Sequence, residues 1–278
     1  MAAPAGTAPR THPDPSTTPR RGAGGPARPR RLAAVLALAL ALSAAACSGG
    51  GSGGGEEGTL RLGYFPNLTH ATALVGIERG SFQRQLGAVR LETRSFGAGP
   101  AATEALLSGA VDATYIGPNP AINAFVKSKG AAIRIISGAT SGGAFLVVKP
   151  DIRSAADLKG RKLATPQLGN TQDVALRSWL DKQGLRTTPE GGGDVRIVPQ
   201  ENSQTLETFQ SGGIDGAWVP EPWATRLQQE GGGKVLVNEA DLWPGGQFVT
   251  TQLVVRTAYL ADHPANVRAL ISGLLDAI

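Results

Sequence analysis

Residues 104–116 read EALLSGAVDATYI, and residues 207–219 read ETFQSGGIDGAWV. The two stretches lie 103 positions apart and share Glu, Ser, Gly and Asp, with an aromatic and a β-branched residue closing each. At an offset of 100, Phe65-Pro66-Asn67-Leu68 echoes Thr165-Pro166-Gln167-Leu168, both where a strand runs into a helix. Two similar α/β lobes of about 100 residues each explain this; two copies at so long a period do not make a solenoid.

Working outward, short apolar runs alternate with helical stretches. Residues 59–64, 89–96, 110–116, 133–136 and 145–148 read as strands, and 71–78, 101–107 and 121–129 as helices. The alternation continues with strands 162–165, 194–198, 214–219 and 234–237 and helices 171–183, 203–210 and 222–229. Such alternation predicts βα units on mainly parallel sheets. Ligands then bind beyond the carboxyl ends of strands. If two lobes face each other, helix N-termini converge there, each with free N–H groups and about half a positive charge. At the far end, Pro264 opens a helix with Val267, Leu270, Ile271, Leu274, Leu275 and Ile278 on one apolar face. The sequence stops inside that pattern, so the expectation is a natural chain that continues.

The net charge of +5 belongs to the N-terminus. Six arginines precede residue 47, whereas from Cys47 onward 21 basic residues face 21 acidic ones. A basic footprint for nucleic acid is absent. The arginines lead into an apolar or small-residue run, 32–46, and then Cys47. Fifteen residues at ~1.5 Å rise span about 22 Å, short of the ~30 Å hydrocarbon core. This is a secretory signal, residues 1–46. Cys47, the single cysteine, permits no internal disulfide. It resembles a bacterial lipidation box, with Ala44 where a bulkier residue is usual. Residues 47–58 would be a Gly-rich, lipid-tethered linker.

LRLGYFPNLTHA, DATYIGPNPAINAF, SGATSGGAFLVV, LATPQLGNTQDVALRSWL and IDGAWVPEPWA resemble the periplasmic solute-binding proteins of the sulfonate/nitrate/taurine ABC importers. The resemblance covers residues 60–278. It implies the type II two-lobed fold, closure on a small solute, and delivery to a permease and its ATPase. It also places crossovers near 143–149 and 247–256, making lobe one 59–145 plus 250–278 and lobe two 146–248. Members run some tens of residues further.

Candidate solute contacts follow the turns between strands and helices. Asn67, Thr69 and His70 offer hydrogen-bond donors after the first strand, although Thr69 also suits a helix cap. Gly97 and Gly99 allow close backbone approach, or form an ordinary turn; as a dinucleotide string they lack an acidic partner at the ribose position. Asn119 follows the first repeat, and Glu221 and Trp223 follow the second. Tyr115 and Trp223 offer an apolar wall or core. Glu221 disfavours a simple anion unless it faces away, meets the permease, or binds a cation. Thr140 and Ser141 suit either ligand binding or a hinge. Gln167, Asn170 and Thr171 mirror the first turn, with Asn170 expected to cap the helix and contact solute as well.

No phosphate loop or HExxH is present, and His70 and His263 sit beside no obvious triad partner. No catalytic residue, metal or cofactor is therefore assigned. The reading is an exported, lipid-anchored, monomeric receptor for an alkanesulfonate or related anion. Within that class nitrate, bicarbonate or a thiamine-type pyrimidine precursor stays open. Outside it stand a biosynthetic enzyme on the same fold and a sensor domain.

Overall fold

The repeated motif is a helix end, a turn and a strand start. In the computed structural model, which describes residues 58–278, helix α3 (Gly99–Leu107) closes when the Ser108 N–H bonds the Glu104 carbonyl at 2.9 Å. Gly109 then turns the chain at φ 77°, left-handed backbone that glycine alone adopts without strain. Strand β3 (Ala113–Ile116) follows Asp112. The second copy repeats each step: α6 (Asn202–Gln210), Ser211 to Glu207 at 3.0 Å, Gly212 at φ 78°, Asp215 and β8 (Gly216–Pro220).

The repeated aspartate clamps the neighbouring strand. Asp112 accepts the Arg61 backbone N–H (2.9 Å), the Arg61 guanidinium (2.9 and 2.7 Å) and Arg256 (3.1 Å). Arg61 lies in β1 (Thr59–Tyr64). Asp215 accepts the Lys162 backbone N–H at 2.8 Å, at the start of β6 (Lys162–Thr165), and the Arg161 guanidinium at 3.0 Å. Each clamp locks one parallel register, Leu62 to Ala113 in one sheet and Leu163 to Gly216 in the other.

The remaining strands are β2 (Arg90–Ser95), β4 (Ile133–Ser141), β5 (Ala144–Val148), β7 (Arg196–Pro199), β9 (Lys234–Asn238) and β10 (Val249–Arg256). They build two five-stranded sheets, ordered β2-β1-β3-β10-β4 and β7-β6-β8-β5-β9. The α/β class is as expected, but both sheets are mixed. Two pairings in each are parallel and two antiparallel, because β10 and β5, arriving from the other sheet, run against their neighbours. The expected crossover runs 143–149 and 247–256 coincide with these two strands, each paired on both sides within a single sheet. The passages come just before them, at Gly142-Gly143 (φ 79° and 78°) and between β9 and β10.

Helices α1 (Ala71–Glu78), α4 (Pro118–Lys127), α5 (Thr171–Lys182) and α7 (Trp223–Gln229) lie close to expectation. Two six-residue helices, α2 (Ser81–Leu86) and α8 (Thr257–Asp262), were too short to show a period. The strand expected from residue 110 starts at 113, because the N–H groups of Ala110 and Val111 still bond the Ala105 carbonyl. The final helix, α9 (Pro264–Leu275), buries Val267, Leu270 and Leu274, while Leu275 and Ile278 are exposed. It meets α2 through Phe82, a fully buried ring that presses on Gly76 and Gly273 so closely that a Cβ at either would clash. The signal, Cys47 and nearly all of the linker lie outside the described residues.

The two clamps differ in burial, which sets an expected difference in stability. The Asp112 side chain is 1% exposed against 26% for Asp215. Asp112→Ala leaves two guanidinium groups and a backbone N–H without their acceptor and should lower the unfolding free energy by roughly 3 kcal/mol. Asp215→Ala should cost about 1 kcal/mol, since its pair is more solvated. Urea unfolding of the two variants checks the ratio; equal losses would show the clamps to be equivalent.

Candidate functional site

The carboxyl ends of β1, β3, β6 and β8 lead into turns that meet in one small space. The first lobe contributes Phe65, Asn67, Thr69 and His70 after β1, Gly99 at the start of α3, Gly117 and Pro120 at the start of α4, and Thr250 and Thr251 of β10. The second contributes Asn170, Thr171 and Gln172 around the start of α5, and Pro220 at the end of β8. The free volume is about 20 Å³, where a single water needs ~10–15 Å³. The halves touch around it. The Leu68 N–H bonds the Glu221 carbonyl (3.0 Å), and the Trp223 indole N–H bonds Asn67 Oδ1 (3.0 Å). Gly117 lies so close to Thr171 that a Cβ there would sit 2.0 Å from the hydroxyl.

No lining residue is an acid, a lysine or an arginine, so the chemistry rests on hydrogen-bond valence. Asn170 Oδ1 caps α5 by accepting the Asp173 N–H at 2.8 Å, which turns its amide nitrogen to Gln172 Oε1 at 3.1 Å. Asn67 Oδ1 faces an indole N–H, which can only donate. His70 Nδ1 accepts the Phe65 backbone N–H at 3.2 Å. Each lining amide oxygen, and the one imidazole acceptor, is therefore satisfied within the protein. The side chains keep donors: the amide nitrogens of Asn67 and Gln172, His70 Nε2–H, and the hydroxyls of Thr69, Thr171 and Thr251, whereas the Thr250 hydroxyl donates to the Gly142 carbonyl. The Thr251 hydroxyl is buried without a partner, a state that ordinarily costs about 1–3 kcal/mol.

Burial pushes the His70 imidazole down to about 3. With Nδ1 occupied as an acceptor, the ring is neutral and carries its proton on Nε2. The helix starts are poorer in donors than expected. Pro118 and Pro120 leave α4 only the Asn119 N–H among its first three positions, and Pro100 removes one from α3. Their dipoles remain, and neither helix has a side-chain cap. Asp173 holds the approach to α5 by accepting from Thr165 Oγ1, Gly169 N and Arg177 Nε, each at 3.0 Å.

Of the residues expected from sequence, Asn67, Thr69, His70, Gly99, Asn170 and Thr171 line the space. Thr69 provides no cap. The others lie elsewhere. Glu221 turns its carboxylate back to the Thr225 N–H (3.1 Å) and hydroxyl (2.9 Å), so it serves α7 and not the cleft. Trp223 bridges the halves, and Tyr115 is wholly core. Ser141 accepts the Phe248 N–H (3.3 Å), and Thr140 is paired along β10. Gly97 lies against the Glu201 carboxylate. Asn119 and Gln167 flank the space without lining it. Phe65, Gly117, Pro120, Gln172, Pro220, Thr250 and Thr251 were not anticipated. The first five adjoin turns already singled out, whereas Thr250 and Thr251 arrive on a strand about 180 residues from Asn67, a juxtaposition without a local signal.

Paired mixed sheets with a cleft at their strand ends define the fold of the periplasmic binding proteins. Residues 53–278 match the NMT1-like family, and the chain belongs to it. It is 28% identical over 222 residues to a Brucella abortus protein whose name records binding without a ligand, covering 78% of this chain and 65% of that one. It is 28% identical over 197 residues to the taurine-binding periplasmic protein of Escherichia coli K12, covering 71% and 59%. The chain thus spans just under two thirds of the length of these curated relatives. In structure it is similar to the alkanesulfonate-binding protein SsuA of Xanthomonas axonopodis pv. citri bound to MOPS, with a TM-score of 0.68, 21% identity, and 82% and 74% of the two chains covered.

Two buried groups set opposite pH slopes. His70 ionises only in the unfolded chain between about pH 3 and 6.5, so acidification removes stability, by up to about 1.4 kcal/mol per pH unit. Glu239, buried and bonded by the Trp218 indole at 2.7 Å, is pushed up by burial to about 7. Between pH 4.5 and 7 it is protonated only when folded, so acidification adds stability at the same slope. The two cancel between pH 4.5 and 6.5. Urea unfolding at those pH values should show His70→Asn gaining roughly 2–3 kcal/mol on acidification relative to wild type, and Glu239→Gln losing as much. Parallel profiles for all three would overturn the assignment.

Proposed function

We propose that the chain is the extracytoplasmic solute-binding component of an ABC importer, capturing a small anion and handing it to a permease and its ATPase. The observation that carries this is the valence of the cleft: each side-chain amide oxygen and the imidazole acceptor already holds a hydrogen bond within the protein, most of the side-chain donors do not, and it holds no carboxylate. A group rich in lone pairs, such as a sulfonate, fits such a lining without a cationic side chain, and the uncapped starts of α3 and α4 add favourable dipoles. The names of the taurine- and alkanesulfonate-binding relatives support the same solute class, with an alkanesulfonate first. A cationic pyrimidine loses the partner it would need, because Glu221 caps α7. An enzymatic role finds no base in the lining, since His70 has its Nδ1 occupied. Export by residues 1–46 and lipid anchoring at Cys47 complete the proposal, with a monomer as the working unit.

Closure follows as a population shift: solute touches both halves only when they are shut, and that differential affinity selects the shut state. The Asn67–Trp223 bond and the Gly117–Thr171 contact would belong to that state.

A thermal-melt panel on residues 48–278 with alkanesulfonates, taurine, nitrate, bicarbonate and thiamine precursors tests the solute class. A true ligand at ~1,000 times its Kd adds about 4 kcal/mol, a shift of roughly 8–16 °C. Only a pyrimidine responding would overturn the anion reading. Gly117→Ala, with no left-handed backbone to strain (φ −73°), should melt near wild type yet weaken that ligand by about 1–3 kcal/mol, roughly fivefold to 150-fold, because its Cβ wedges the halves apart. Gly97→Ala should bind normally, since the Glu201 side chain can swing away.

A further inference from the structure

Beside the closed space lies a second cavity of about 690 Å³. Pro120 lines both. At two further points the chain steps from one to the other, from Gly99 to Pro100 and from Asn170 to Gly169. Helices α3 and α4 form one side, and Leu168 with Gly169 reaches across from the second lobe. Like the first space, this cavity is shaped by both halves and changes when they part.

Its lining differs in kind. Pro100, Leu107, Ala124 and Leu168 give it apolar surface, and Leu107 and Leu168 remain 41% and 54% exposed. Large side chains left to water beside a cleft mark a surface that something apolar can cover. Thr103, Ser108 and Asn123 add polar surface, and Glu104 and Lys127 line it with opposite charges. An inorganic anion would need only the smaller space and would leave these leucines wet. A head group there has no room for attached carbon, and the adjoining volume is the larger of the two by far.

Building on the anion reading above, we infer that the solute is an organic anion whose tail passes Pro120 into this second cavity, where Leu168 of the second lobe closes over it. The head-group donors would then set the charge class and the α3–α4 cavity the length and polarity of the tail. Because Leu168 belongs to one lobe and Leu107 to the other, tail burial would favour the shut form as head-group binding does.

Calorimetric titration with methane-, butane- and hexanesulfonate, alongside nitrate and bicarbonate, tests this. Each added methylene should tighten Kd by up to about fourfold, the equivalent of ~0.8 kcal/mol. Asn123→Trp, at an exposed α4 position facing only the second cavity, should weaken hexanesulfonate at least tenfold while methanesulfonate moves less than twofold. Leu168→Ser, which removes apolar surface without adding charge, should reproduce that split. A flat series, tighter binding of nitrate or bicarbonate than of any sulfonate, or an unchanged series in both variants would overturn the tail site. If no anion binds at all, the anion reading itself fails, which is distinct from a flat series.

Discussion

A carboxylate at the entrance to a strand, buried in the first lobe and half-buried in the second, governs the geometry of each lobe. Asp112 ties β3 to β1, and Asp215 ties β8 to β6, through the backbone N–H of the strand alongside. A strand rises only ~3.3 Å per residue, so fixing one end of these four- and five-residue strands fixes the other. That other end is Gly117 in the first lobe and Pro220 in the second, both at the cleft. The carboxylates lie at the far ends of their strands from the solute space, yet they decide where its walls stand.

What those walls present is governed by satisfaction, not charge. Asn170 caps a helix, Asn67 meets an indole and His70 meets a backbone N–H, and each contact consumes an acceptor. Structural duty thereby orients Asn67 and His70 so that their donors remain, while the Asn170 amide nitrogen turns to Gln172 Oε1. On the proposed anion reading, a near-neutral fold then needs no lysine or arginine in a closed space, where desolvation would be costly. The same burial moves His70 and Glu239 in opposite directions, so the stability consequences of the two groups offset each other on the acid side of neutrality.

Much of the architecture was legible because it is local. The helix starts at Ala71 and Thr171, strands β1 and β6, and the cap at Asn170 each depend on residues within a turn of one another. The repeat announced two lobes since Ser-Gly and Asp perform the same task in both. Half of the candidate cleft residues came from the same signals. The misplaced ones share a cause: Glu221, Ser141 and Trp223 carry side chains that can point either way, and their partners Thr225, Phe248 and Asn67 decide which. The mixed pairing of the sheets was hidden because β5 and β10 read as ordinary apolar runs, and direction depends on which sheet the chain has just left.

The α/β class, the two-fold repetition, the turns that carry the site, and the absence of a basic footprint from Cys47 onward follow from the order of residues alone. Each rests on spacing and composition, which neighbouring residues set among themselves. Only the tertiary structure decided that Glu221 leaves the cleft, that Thr250 and Thr251 enter it from a distant strand, that Gly117 must lack a side chain, and that a larger cavity adjoins the small one. The last three depend on contacts between segments far apart in the chain, where no local rule of conformation reaches; the Glu221 carboxylate has its partner, Thr225, only four residues on, and the sequence leaves open which way it turns.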